Sequence, residues 1–181
     1  MPLAAYALPY GIRDIKLRAL DNTDTPGASV DLPAARTLGF AESEDFTELR
    51  GDDSLVAIHG SGPTVSWSLE SGGISVDAWK LISGGAVTST GTTPNVKKVL
   101  SKLGTDARPY LQIEGQSISD NGGDMHSLLY KCKANGDIGG EFAEGAFITP
   151  GIDGIGLPTT QASNAGKLWD LIHNETAVTP T

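Results

Sequence analysis

The chain has a single cysteine, three histidines and few basic residues. A lone thiol, Cys132, closes no disulfide within the chain, so the fold must hold without one, as suits synthesis in a reducing compartment. Cys132 itself reads as a small buried apolar side chain. His59, His126 and His173 stand at neither H-x-x-x-H nor C-x-x-C spacing, so neither a metal nor a cofactor is expected. No apolar run reaches the ~20 residues of a membrane-spanning helix. The opening MPLAAYALPYG lacks the charged and long apolar regions of a secretion signal. Lys and Arg number 13 against 22 Asp and Glu, a net charge of −9. A general DNA binder needs the opposite balance.

Catalytic signatures are missing too. G-x-S-x-G, Walker and Rossmann patterns do not occur, no catalytic residues are assigned, and the chain is expected not to be an enzyme. Asp120, Asn121 and Asp124 suggest calcium, but without an EF-hand pattern they read as a turn. Arg50-Gly51-Asp52-Asp53 reads as a hairpin connection, where Gly and Asp are favoured. The sequon at Asn174 has no secretion signal to serve it.

What the chain has in quantity is turn chemistry. Its 23 glycines and 10 prolines point to many short strands. A length of 181 residues fits one domain over residues 1–181, with an N-terminal arm at 1–11 and extended loops. Residues 43 to 83 are the most informative. In them Val65, Trp67 and Leu69 alternate with Thr64, Ser66, Ser68 and Glu70, the period of a strand with one core face and one polar face. A helix follows over 75–83, with Ser75 as N-cap and Asp77 near the positive end of its dipole. Val76, Ala78, Trp79, Leu81 and Ile82 make it a plug against the sheets. The expected core is Val65, Trp67, Leu69, Trp79, Leu81 and Ile82.

Elsewhere, Ile12–Leu20 reads as a strand with a partly basic face. Residues 28–41 read as a strand broken or edged at Pro33, and 43–49 as an acidic strand. Residues 86–92 form a Thr-rich strand. Thr93 and Pro94 start what reads as an amphipathic helix, with Val96, Val99, Leu100 and Leu103 on one face, Lys97, Lys98 and Lys102 on the other, and Gly104 at its end. Strands are expected at 110–118, at 126–133 (Leu128, Tyr130 and Cys132 opposite Ser127, Leu129, Lys131 and Lys133) and at 142–148. Asn135-Gly136 is a hairpin signal, and PGIDGIGLP reads as a connection.

The stretch FTELRGDDSLVAIHGSGPTVSWSLESGGISVDAWKLI resembles the central block of the major tail (tail tube) proteins of long-tailed, siphovirus-type phages, especially those infecting actinobacteria. ALPYGIRDIKL, RPYLQIEGQS, DMHSLLYKCKANG and LWDLIHNET agree in order and spacing, so the resemblance spans nearly the whole chain. The residues themselves read as a mainly β domain of two packed sheets (sandwich or half-barrel), a short buried helix and a second amphipathic helix; the resemblance implies a tail-tube-like fold and a strand over 168–174. It also implies a structural subunit, forming hexameric rings stacked into a tube that conducts genomic DNA during ejection. The implied partners are the chain itself, the tape measure, tail terminator and tail tip proteins, and duplex DNA passing without specific binding. The place is the virion tail, assembled in the host cytoplasm.

Candidate lumen-lining residues are Glu42, Glu44, Glu48, Thr64, Ser66, Ser68 and Glu70, because an acidic or neutral lumen lets DNA slide. Candidates for contacts between subunits or rings are Arg50, Asp52 and Asp53, with Arg13, Lys16, Arg18, Lys97, Lys98 and Lys102. Two alternatives stand beside this: the inner-tube protein of a contractile or type VI secretion-like system, and a secreted β-sandwich binding module.

Overall fold

A computed structural model describes residues 6–180. Ten strands and one helix follow in order: β1 (Pro9–Leu20), β2 (Pro26–Asp31), β3 (Ala35–Gly51), β4 (Ser54–Ser71), α1 (Val76–Ser83), β5 (Ala86–Thr90), β6 (Lys97–Ser101), β7 (Leu111–Ser119), β8 (Asp124–Ala134), β9 (Gly151–Gly156) and β10 (Trp169–Asn174). The fold is mainly β, with one large antiparallel sheet and a small β5-β6 sheet. The large sheet runs β2-β1-β7-β8-β9-β4-β3. One edge of β8 pairs with β7; the other is shared, Asp124–Leu129 with β10 and Cys132–Ala134 with β9. The sheet therefore splits at β8 into two leaves, β2-β1-β7-β8-β10 and β9-β4-β3.

The core lies between the leaves. Ile15, Leu17, Ile113, Leu129 and Cys132 come from one, and Val65, Trp67, Leu69 and Ile152 from the other. A ring contact between Phe40 and Trp169 (5.7 Å) and a bond from Trp169 Nε1 to Glu42 (2.7 Å) tie β3 to β10. Ser75 caps α1 by accepting the Ala78 N–H. Cys132 is fully buried, and burial pushes its thiol pKa up.

Several sequence expectations change. Residues 94–103 are not a helix: a turn at Thr92–Asn95 leads into β6, which pairs five rungs with Thr-rich β5. A helix this short is marginal alone, and the hairpin satisfies the same backbone groups while leaving Val96 and Leu103 exposed. Residues 142–148 are loop, and the strand is instead β9, within PGIDGIGLP. Gly154 permits it, since a Cβ there would run into the Trp67 indole, and the bare backbone lets that ring approach closely. Asn135-Gly136 accordingly opens a long loop rather than a tight hairpin.

Leu129 joins the core rather than the polar face, because β8 takes three steps (Leu129 to Cys132) where β7 takes two. Trp79 is only half-buried and lies outside the core. The inward stripe of α1 is Ala78, Leu81 and Ile82, and Trp79 is one position round from it. Of the expected N-terminal arm, Pro9–Gly11 belong to β1, with Pro9 and Tyr10 paired to Ser119 and Ile118. Residues 1–5 lie outside the described residues.

Candidate functional site: an outlying β-arm and two sheet faces

β3 and β4 are the longest strands, 17 and 18 residues. β9 pairs with β4 only over Val65–Glu70. Beyond the Ser43–Thr64 rung the hairpin pairs only with itself, and nearly every residue from Glu42 to Pro63 is exposed. At ~3.4 Å per residue, Ser43 to Gly51 reaches about 30 Å past the body. Asp52 (φ 48°) and Asp53 (φ 60°) make the tip a two-residue turn of the I′ kind, whose twist matches the strands. The hairpin expected at Arg50–Asp53 is thus present.

The arm is acidic but not wholly polar. Phe46, Leu49, Leu55, Val56 and Ile58 are 48–64% exposed. Glu48 and Arg50 pair with each other at 2.8 Å, a surface pair worth little to stability. A two-stranded ribbon cannot cover its own apolar side chains, so these lie open to solvent.

The polar face of β4 is as the alternation indicates. Thr64, Ser66, Ser68 and Glu70 lie opposite Ser43, Ala41, Gly39 and Thr37 of β3, and β9 adds Asp153 and Ile155. The result is a sheet face of small side chains with two carboxylates and Arg36 at 3.4 Å from Glu70. The acidic stretch of β3 does not share it. Glu42 stands opposite core-facing Val65 and bonds to Trp169; Glu44 and Glu48 follow with the same parity, Glu44 beside Gly60 and Glu48 opposite Ile58. The seven lumen candidates therefore fall on two faces.

The basic candidates also disperse. Arg13 and Lys97 are exposed. Lys16 pairs with Asp14 and Asp31, Lys98 with Asp77 of α1, and Lys102 bonds to the carbonyls of Ser83 and Asp106. Arg18 is buried and leaves the list of intersubunit contacts: it donates to Gln112 (2.5 Å) and Glu114 (2.9 Å).

Arg18 belongs to a strip that the sequence did not disclose. On the side of β7 away from the core, Gln112, Glu114 and Gln116 alternate as on a solvent face yet are 4–6% exposed. Glu114 meets His126 Nδ1 (2.8 Å), His126 Nε2 meets Asp124 (2.9 Å), and Asp124 also accepts from Gln116, Asn174 and the Val178 N–H. Burial opposes the charge on His126, but Glu114 and Asp124 outweigh it and raise its pKa. Burial likewise opposes ionised Asp124, and its four donors still lower its pKa to about 2. Every ring nitrogen and carboxylate is engaged, so the strip clamps β7, β8, β10 and the C-terminal segment rather than offering a reactive group.

Among the described residues, no group of three or more His, Cys, Asp or Glu is placed to hold a metal ion, and no helix is long and apolar enough to cross a membrane. No known family model matches the chain, and no curated protein matches it.

Proposed function

We propose that the chain is a structural subunit of a long-tailed phage tail tube, acting by assembly rather than catalysis. Copies associate into hexameric rings, rings stack, and DNA passes through the lumen. The observation that carries this reading is the β-arm, a long hairpin outside the body whose exposed apolar residues call for a partner. β3 is also the end of its sheet, so its outer edge is open to pairing between copies. The face of Thr64, Ser66, Ser68, Glu70 and Asp153 supports a lumen role, since small polar and acidic groups give phosphates little to hold.

The exposed Phe142 and Phe147 (85% and 93%) would also suit a monomeric β-sandwich binding module. Negative-stain microscopy of the purified protein over a range of concentrations separates the two. Rings or tubes with a central hole are expected. A protein that stays monomeric at every concentration, with or without tail initiator proteins, rules the tube out.

A further inference from the structure

An open trough of about 720 Å³ runs beside Arg36–Phe40 of β3. Gly115–Ser117 of β7 and Met125–Ser127 of β8 line it, with Ile12 of β1 and Leu171 of β10 at its sides. Ile12, Leu38, Phe40, Met125 and Leu171 give it an apolar stripe among the hydroxyls of Thr37, Ser68, Ser117 and Ser127, and Leu38 already lies over Gly115, whose missing Cβ makes room for it. The charged side chains in its lining are buried His126, held by two carboxylates, and Arg36, which is more than half exposed and lies 3.4 Å from the partly exposed Glu70.

A second feature matches it. The β8–β9 loop has a fixed neck: Ile138 packs on the core, Gly139 bridges to Gly151, Ile148 closes on Gly140, and Pro150 is fully buried. That neck presents a tip, Glu141-Phe142-Ala143-Glu144-Gly145-Ala146-Phe147, turned at Gly145 (φ 75°). Both phenyl rings are almost fully exposed. From Asn135 to Pro150 the loop carries Asp137, Glu141 and Glu144 and no Lys or Arg. No residue of the loop lines the trough of its own chain.

We propose that the acidic, aromatic Glu141–Phe147 tip of one copy seats in the Arg36–Phe40 trough of the next. Phe142 and Phe147 fill the apolar floor while Glu141 and Glu144 meet Arg36. Two unlike surfaces joined this way form a heterologous contact, which generates rings or filaments. Anchoring aromatics in an apolar pocket with a charged rim is the usual arrangement of an interface hot spot. The inference rests on the assembly reading above and names a contact within it.

Disulfide trapping tests the contact, because native Cys132 is fully buried and stays silent. The double variant Phe147→Cys with Leu171→Cys, oxidised after assembly, should give a ladder of covalent multimers on a non-reducing gel. Phe147→Cys with Ser89→Cys, on exposed β5, should not. Separately, Phe142→Ser with Phe147→Ser should melt like the parent yet need roughly tenfold more protein to assemble. Rings or tubes that assemble without the ladder, or that tolerate loss of both phenylalanines, overturn this contact and leave the tube reading standing. A parent protein that never assembles overturns both.

Discussion

The body and the arm are built from the same two strands and behave as opposites. Within the body, β4 is paired on both sides, and Val65, Trp67 and Leu69 are 1–3% exposed. A few residues earlier, Val56 and Ile58 of that strand are 62% and 55% exposed with no third strand beside them. Apolar content does not separate the two halves: Leu55-Val56-Ala57-Ile58 is a continuous apolar run in the arm, and Val65, Trp67 and Leu69 alternate with polar residues in the body. What separates them is where β9 stops pairing. A strand's stability is thus set by what lies beside it, and the arm's apolar residues, with no third strand beside them, contribute little to the fold.

The sharpest way to break this comparison is to truncate one apolar residue in each half. Trp67→Ala removes a ring packed on the β9 backbone and should cost ~3–5 kcal/mol, enough to give unfolded or insoluble protein. A variant that melts within a few degrees of the parent would show that the leaves do not pack through Trp67.

An intermediate effect is expected from pH, acting on the body alone. His126 has a folded pKa raised above its ordinary value near 6.5. Its stabilising charge is therefore fully present below pH 6.5 and is lost as pH rises through the folded pKa. The thermal midpoint should fall between mildly acidic and alkaline pH. Asp124 works in the other direction: its contribution holds above ordinary carboxylate pH and fades as pH drops towards about 2. Calorimetry across pH 5 to 10, on the parent and on His126→Gln, checks the first claim. An equal midpoint shift in both proteins would remove His126 from the account.

The smallest effect on stability belongs to the arm. Phe46→Ser with Ile58→Ser should leave the stability of the unassembled protein within about 0.5 kcal/mol of the parent, as for exposed sites generally. Assembly should nonetheless be lost. If instead the double variant is strongly destabilised, the arm folds back on the body and the comparison fails.

Much of this was legible in the residues themselves. Alternation at 64–70 placed Val65, Trp67 and Leu69 inside, Ser75 marked the start of α1, Pro33 marked the break between β2 and β3, and Gly and Asp at 51–53 marked the arm's tip. These are local signals, because side-chain period, caps and turns are fixed by backbone geometry within a few residues. The sequence also determined that no disulfide holds this fold together. Tertiary structure decided the rest. Residues 97–101 became a strand because β5 offered a partner. Gly151–Gly156 could pair with β4 because bare backbone at Gly154 makes room for Trp67. Gln112, Glu114 and Gln116 alternate with Leu111 and Ile113 yet lie buried, because Arg18, His126, Asp124 and the C-terminal segment close over them from positions up to 96 residues away along the chain. Burial of a polar face depends on what arrives from elsewhere, and no local period carries that information.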